Sequence, residues 1–169
     1  MVESKLEEFP ASFVVISHPQ EGFLLYDTGD YPPLEDGVDR PDFWKEYFPN
    51  KVHRDSYIDR ILPSNGIKLE DVSAIILSHM HYDHAGGIKF FANTKAGNNI
   101  YVPKADFVEA CLQTINCDNE KNTTSAYWRS ILTAKGLKFN FLEDDIEIFP
   151  GVHLFLLSDH TPAVATMVL

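Results

Sequence analysis

The stretch SHMHYDHAGG, Ser78 to Gly87, sets three histidines and an aspartate within six residues, His79 to His84. It follows residues 74–77 (AIIL), an unbroken apolar run that suits a strand covered on both faces. In extended chain alternate side chains face the same way, so His79 and His81 can grip one ion together. Asp83 and His84 come just beyond, where the chain turns, and are placed to address a second ion. Gly86 and Gly87 allow a tight turn and leave space beside the metals. Imidazole with carboxylate suits Zn2+, with Fe2+ or Mn2+ as other occupants, and disfavours sulfur-loving ions. A shuffle of this composition yields HxHxDH in about one chain in a thousand, so a merely polar surface loop is the weaker explanation.

Outward from that stretch the pattern is strand, helix and strand again. Residues 13–17 (FVVIS) and 23–26 (FLLY) read as two strands joined by the turn-like HPQEG, and the second stops at Asp27-Thr28-Gly29. Residues 30–53 hold four prolines and five aromatics, including Tyr31, Phe43 and Trp44. A stretch this long suits either a substrate lid or a loop whose aromatics fold back as a satellite core. A helix is expected over 55–62, ended by Pro63 and Gly66, with further helices over 105–112 and 124–134, the last facing Trp128 inward. Short strands are expected over 99–102, 137–141, 146–149, 152–157 and 164–169, with Pro150-Gly151 as a tight turn. This order implies one mixed α/β layered domain over residues 1–169. The chain ends ATMVL, apolar and in mid-strand, which is the expectation for a domain cut short.

Composition narrows the partners. The net charge is −11 and the lysines and arginines are scattered, so nothing gathers to neutralise a phosphate backbone and nucleic acid is an unexpected partner. No apolar run is long enough to cross a bilayer, and MVESKLEEFP lacks the basic start and apolar stretch of a secretory signal. A cytoplasmic, soluble protein is expected. Cys111 and Cys117 fit neither a disulfide framework nor a zinc ribbon.

At these residues the sequence resembles the metallo-β-lactamase-fold hydrolases. SHMHYDHAGG is similar to their signature, and FLLYDTGD and LLSDHTPA are similar to two further blocks. The likeness is closest to N-acyl homoserine lactonases, in which a DTG turn, a long lid segment, a helix and SHxHxDHAGG follow in this order. The resemblance implies an αββα sandwich, here in its first part only. It implies that His79, His81 and His160 hold a first Zn2+ and that Asp83 and His84 hold a second. Asp27 would steady the ligand loop by hydrogen bonds, as metal sites require. The reaction it implies is hydrolysis of a lactone, or another ester or amide, by water acidified to a pKa of about 7 at the metal, with Asp83 receiving or relaying the proton. The expected partner is thus a small ester or lactone, and a homodimer is compatible.

Departures and rivals accompany the likeness. The family has glycine before the third histidine, where this chain has Asp159, and a Gly-His soon after it, where Ala163 follows Pro162. Its bridging aspartate and last metal histidine have no counterpart in this stretch, leaving the second ion two ligands where a catalytic zinc wants three. A truncated, non-catalytic metal-binding remnant is therefore one alternative, and an iron-dependent persulfide dioxygenase using one ion is another. The DTG turn also resembles that of aspartic proteases, but a single copy would need a dimer and leaves the histidines unexplained. His18, His53 and His153 read as structural or solvated.

Overall fold

The structure is a computed structural model and describes residues 9–30, 41–48, 53–116 and 124–169. Within the 30–53 stretch, residues 31–40 (Tyr31 among them) and 49–52 lie outside that set, as does Cys117. Strands β1 (Val14–His18) and β2 (Gly22–Tyr26) form an antiparallel hairpin. β2 then pairs parallel with β3 (Val72–Ile76), β3 with β4 (Ile100–Pro103), and β4 with β5 (Phe139–Leu142). The result is a five-stranded sheet in the order β1-β2-β3-β4-β5. A second, antiparallel sheet is built from β6 (Ile146–Phe149), β7 (Val152–Leu157) and β8 (Val164–Val168).

The period-two alternation of these strands divides the core in two. Every residue of β3 is buried. Ile75, with Leu77 just beyond the strand, joins Leu25, Ile100 and Val102 on the helical side. Ala74 and Ile76 face the second sheet, meeting Val152, Leu154 and Ala165. The layers described are therefore helices, large sheet and small sheet. The far face of the small sheet leaves Phe155, Leu157 and Val168 exposed. His18 pins the two sheets at one end: its Nδ1 accepts from the Gln20 and Glu21 amides, so its Nε2–H donates to Pro150 O, 2.8 Å away. It is a buried structural histidine at the end of β1 rather than a turn residue.

Several expectations are corrected. The 30–53 stretch contains a helix, α1 (Asp42–Tyr47). Its Trp44 stands against Tyr82, 5.0 Å between ring centroids, and donates to Ser125 O, so this part packs on the domain. The 55–62 helix begins instead as a 3-10 turn, Arg54–Ser56, and continues as α2 (Ile58–Ser64). Pro63 is carried in its last turn, where only one residue of helix follows. The histidine stretch holds α3 (Tyr82–Ala85) and a 3-10 run, Gly86–Phe91. α4 is longer than expected (Lys104–Ile115), whereas the 124–134 helix shrinks to α5 (Arg129–Leu132). The reason lies in tertiary bonding: Ser125 O and Ala126 O serve Trp44 and the Tyr82 amide instead of a helical ladder. Trp128 is nonetheless in the core, stacked on Tyr82 at 4.2 Å.

Candidate metal centre

β3 and the residue after it bring the chain to the C-terminal edge of the parallel sheet. Leu77 still bonds Tyr101 O, and Ser78 O accepts the Ala165 amide of β8 at 2.9 Å. From there Ser78–His81 runs irregularly before α3 begins. The loop between β7 and β8 returns to the same edge and carries His160. As a result ring nitrogens of His79, His81 and His160 lie within 4.8 Å of one another, the one metal-like cluster of three among the described residues. His160 Nε2 stands 3.2 Å from His81 Nδ1. Two nitrogens on one tetrahedral zinc, each about 2.0–2.1 Å from it, would be about 3.3 Å apart. His79 is buried while His160 is exposed, so the cluster opens to the surface on one side.

The hydrogen bonds behind the cluster decide which nitrogens face it. Asp27 Oδ1 accepts the Ser78 amide at 2.7 Å and its Oδ2 accepts the Ser78 hydroxyl at 2.8 Å. With its proton committed there, Ser78 Oγ can only accept from His79 Nδ1–H, 2.9 Å away. His79 Nε2 is then a bare lone pair, buried and without a hydrogen-bond partner among the described residues. An orphaned buried nitrogen aimed at two other imidazoles is the arrangement a metal ion satisfies. His84 Nδ1 likewise bonds Asp27 Oδ2 at 2.8 Å, turning its Nε2 toward Asp83 Oδ2, 3.6 Å away. Asp27 itself sits at φ 60°, a left-handed backbone that a non-glycine residue holds at some cost.

Five of the expected ligands and Asp27 thus come to one edge of the sheet, in two unequal groups. The three-histidine cluster closes on itself, whereas Asp83 and His84 gain no third metal-type ligand among the described residues. Ser78 was not singled out in the sequence; a serine immediately before the first histidine of such a motif was the available signal. Gly87 does not border open space: a Cβ there would meet Thr28 O at 2.4 Å, so the glycine admits backbone rather than metal. Beside His81 and His160 opens a cavity of about 580 Å³, lined also by Glu109, Gln113, Tyr127 and Asp159.

Charge preferences follow from burial. Desolvation, then the neighbouring imidazoles His84, His81 and His160, lower His79 to a pKa of about 2. Desolvation and His160 lower His81 to about 4. Both are neutral at pH 7, the form that binds metal. For His84 burial pulls downward, but the hydrogen bond and charge of Asp27, with Asp83, outweigh it and raise the pKa.

These shifts have a sign in stability. Between pH 6.5 and about 4 the unfolded chain binds protons at positions 79 and 81 that the folded chain does not. That stability is complete above pH 6.5 and is lost as pH falls, at up to about 1.4 kcal/mol per pH unit for each histidine. His84 acts in the other window, its stabilisation present below pH 6.5 and lost as pH rises through its folded value. Urea unfolding of chelator-treated protein should show a falling midpoint from pH 6.5 to 4.5. A slope of the same size in the H79A/H81A double variant would assign the effect to other groups.

A two-sheet layered domain that gathers imidazoles at the C-terminal edge of its parallel strands defines a metal-site α/β protein. The chain belongs to the metallo-beta-lactamase superfamily, whose family model matches residues 6–169. It is 30% identical over 145 residues to an N-acyl homoserine lactonase from a Bacillus species, covering 85% of this chain and 52% of that protein. It is also 30% identical over 95 residues to N-acyl homoserine lactonase AiiB of Agrobacterium fabrum, covering 56% of this chain and 34% of that one. Among solved structures, a quorum-quenching N-acyl homoserine lactone lactonase superposes with a TM-score of 0.69 at 25% identity, over 99% of this chain and 58% of that chain. The Rm3 metallo-beta-lactamase, at 18% identity and a TM-score of 0.54 over 92% of this chain and 48% of that chain, shares the fold. The chain spans about half the length of the curated relatives it matches. No described helix is long and apolar enough to cross a membrane.

Proposed function

We propose that the chain supplies the metal-binding part of a hydrolase acting on the carbonyl of a lactone, or of another small ester or amide. The observation that carries this reading is the convergence of His79, His81 and His160, with the His79 Nε2 lone pair left bare for a cation. Similarity to N-acyl homoserine lactonases supports the lactone. In this reading His79, His81 and His160 hold a divalent ion, with zinc the best match to three imidazoles. Bound there, the ion supplies Lewis-acid polarisation of a carbonyl and lowers the pKa of a hydrolytic water. Asp27 and Ser78 fix the imidazole tautomers, and Asp83, half-exposed beside His84, is the carboxylate positioned to take a proton. The cavity lined by His81, Tyr127 and His160 is where the substrate sits.

The inequality of the two ligand groups favours a single tightly held ion on this chain. Asp83 and His84 alone make a two-ligand half-site, one short of what a catalytic zinc takes from protein. Elemental analysis after gel filtration should return close to one zinc per chain, and two would overturn the half-site. Hydrolysis is tested with a panel of N-acyl homoserine lactones, simple esters, thioesters and β-lactams, with and without chelator. Chelator-sensitive turnover of lactones above the other classes is the expected outcome. Turnover indifferent to chelation would sink the metal-hydrolase reading.

A further inference from the structure

One buried carboxylate in the molecule is used neither by the cluster nor by Asp27. Asp106, on the first turn of α4, is completely buried, and no cation pairs with it among the described residues. Its partners instead lie in, or against, the segment that carries His79 and His81. Asp106 Oδ2 accepts the amide of Met80, the residue between His79 and His81, at 2.6 Å. Oδ1 accepts the hydroxyl of Tyr127 at 2.6 Å. The ring of Tyr127 in turn rests edge-on against His81, 4.6 Å between centroids. Thr161, next to His160, is a near neighbour of both Asp106 and Tyr127, and its hydroxyl donates to Ala163 O at 3.1 Å.

From this geometry we infer that Asp106 is a positioning residue that holds the His79–His81 segment in place for the metal ion. The inference rests on the metal reading above and adds a role to a residue outside the histidine motif. A carboxylate buried for packing alone would be replaceable by leucine and would bond its own helix. This one places both oxygens on groups that flank ligands, 26 and 21 residues away in sequence. With one hydrogen bond accepted at each oxygen, the carboxyl group ties the Met80 amide and the Tyr127 phenol to a single point on α4. Fixing Met80 sets the backbone from which His79 and His81 project. Fixing Tyr127 sets the surface against which the His81 ring turns. Outer groups of this kind commonly change metal affinity by about 10–100-fold when removed.

The test is a Co2+ titration of the 169-residue chain, followed by its d–d absorption bands, on wild type, D106N, D106E and Y127F. Urea unfolding of each metal-free protein shows that it is folded under the titration conditions. D106N should bind Co2+ about 10–100-fold more weakly, with d–d bands changed in position or intensity. D106E, which returns a carboxylate, should recover part of the loss. Y127F, which keeps the Met80 bond, should lose less than D106N, and it decides the question if D106N does not fold. A folded variant titrates with its own site affinity whatever its stability, so a purely structural aspartate would leave affinity and bands unmoved. Wild-type affinity and spectrum in D106N and Y127F would overturn the inference. No stoichiometric Co2+ binding by wild type would instead overturn the metal reading, and this inference with it.

Discussion

His81→Ala should lower zinc affinity by roughly 10²–10³-fold while leaving the metal-free protein folded. A four-ligand structural zinc site binds with about 10–16 kcal/mol, or roughly 3 kcal/mol per ligand, which sets that range. The nitrogen removed is Nδ1, 3.2 Å from His160 Nε2, and no other set of three metal-type ligands forms around His79 and His160 among the described residues. The metal-free fold should tolerate the change because His81 is a partly buried imidazole held below its ordinary pKa; losing it removes a desolvated group. Competition with a chromophoric chelator measures the affinity, and lactone turnover should fall in parallel. Two controls sharpen the comparison. His53→Ala and His153→Ala change exposed histidines outside the cluster and should leave zinc binding intact. Retention of wild-type zinc affinity by H81A would remove His81 from the site.

What could be read from sequence was what is local. His79 and His81 lie two residues apart in the short irregular segment that leaves β3, so nearness in sequence puts them together, and the apolar run before them supplies most of β3. His160 is 79 residues from His81, and only its likeness to a family block reached it; the fold then explains the meeting, since β8 bonds Ser78 O through Ala165. Asp106 was invisible for a different reason. A lone aspartate in a helix is ordinarily a solvated residue, and its partners Met80 and Tyr127 lie in separate loops. The available hint was spacing: Asp106, Ala110 and Thr114 fall four apart on the buried face of α4, which sets a charged residue in line with the core. The 124–134 segment misled because helical periodicity reports which side chains are buried and not what the backbone bonds to. Trp128 and Ile131 are buried as that pattern requires, while the preceding carbonyls serve α1 and α3.

Gly87→Ala should be the most damaging single methyl in the molecule's site region, costing about 3 kcal/mol and lowering the melting temperature by about 6–12 °C. The added Cβ would stand 2.4 Å from Thr28 O and 3.0 Å from both Thr28 Cβ and Ile58 Cγ2. The first of these is backbone, which cannot rotate away. Nor can Thr28 retreat freely: its amide and hydroxyl both bond His84 O, at 2.8 and 2.9 Å, and Gly87 N bonds Gly29 O at 3.1 Å. Any relief must push the Asp27-Thr28-Gly29 turn off α3 and the 3-10 run that follows. Asp27, one residue before Thr28, would move with it, and with Asp27 go the bonds that orient Ser78, His79 and His84. The expected signature is therefore double, a lower melting temperature together with zinc affinity reduced by about tenfold or more, as for loss of an outer group. Gly66→Ala provides the contrast. Gly66 has open space but a φ of 79°, so alanine there costs about 1–2 kcal/mol of backbone strain and leaves zinc affinity unchanged. If Gly87→Ala melts at the wild-type temperature, the DTG turn is not clamped to the histidine segment as described. If it melts lower yet binds zinc as wild type does, the turn supports the fold without setting the imidazoles.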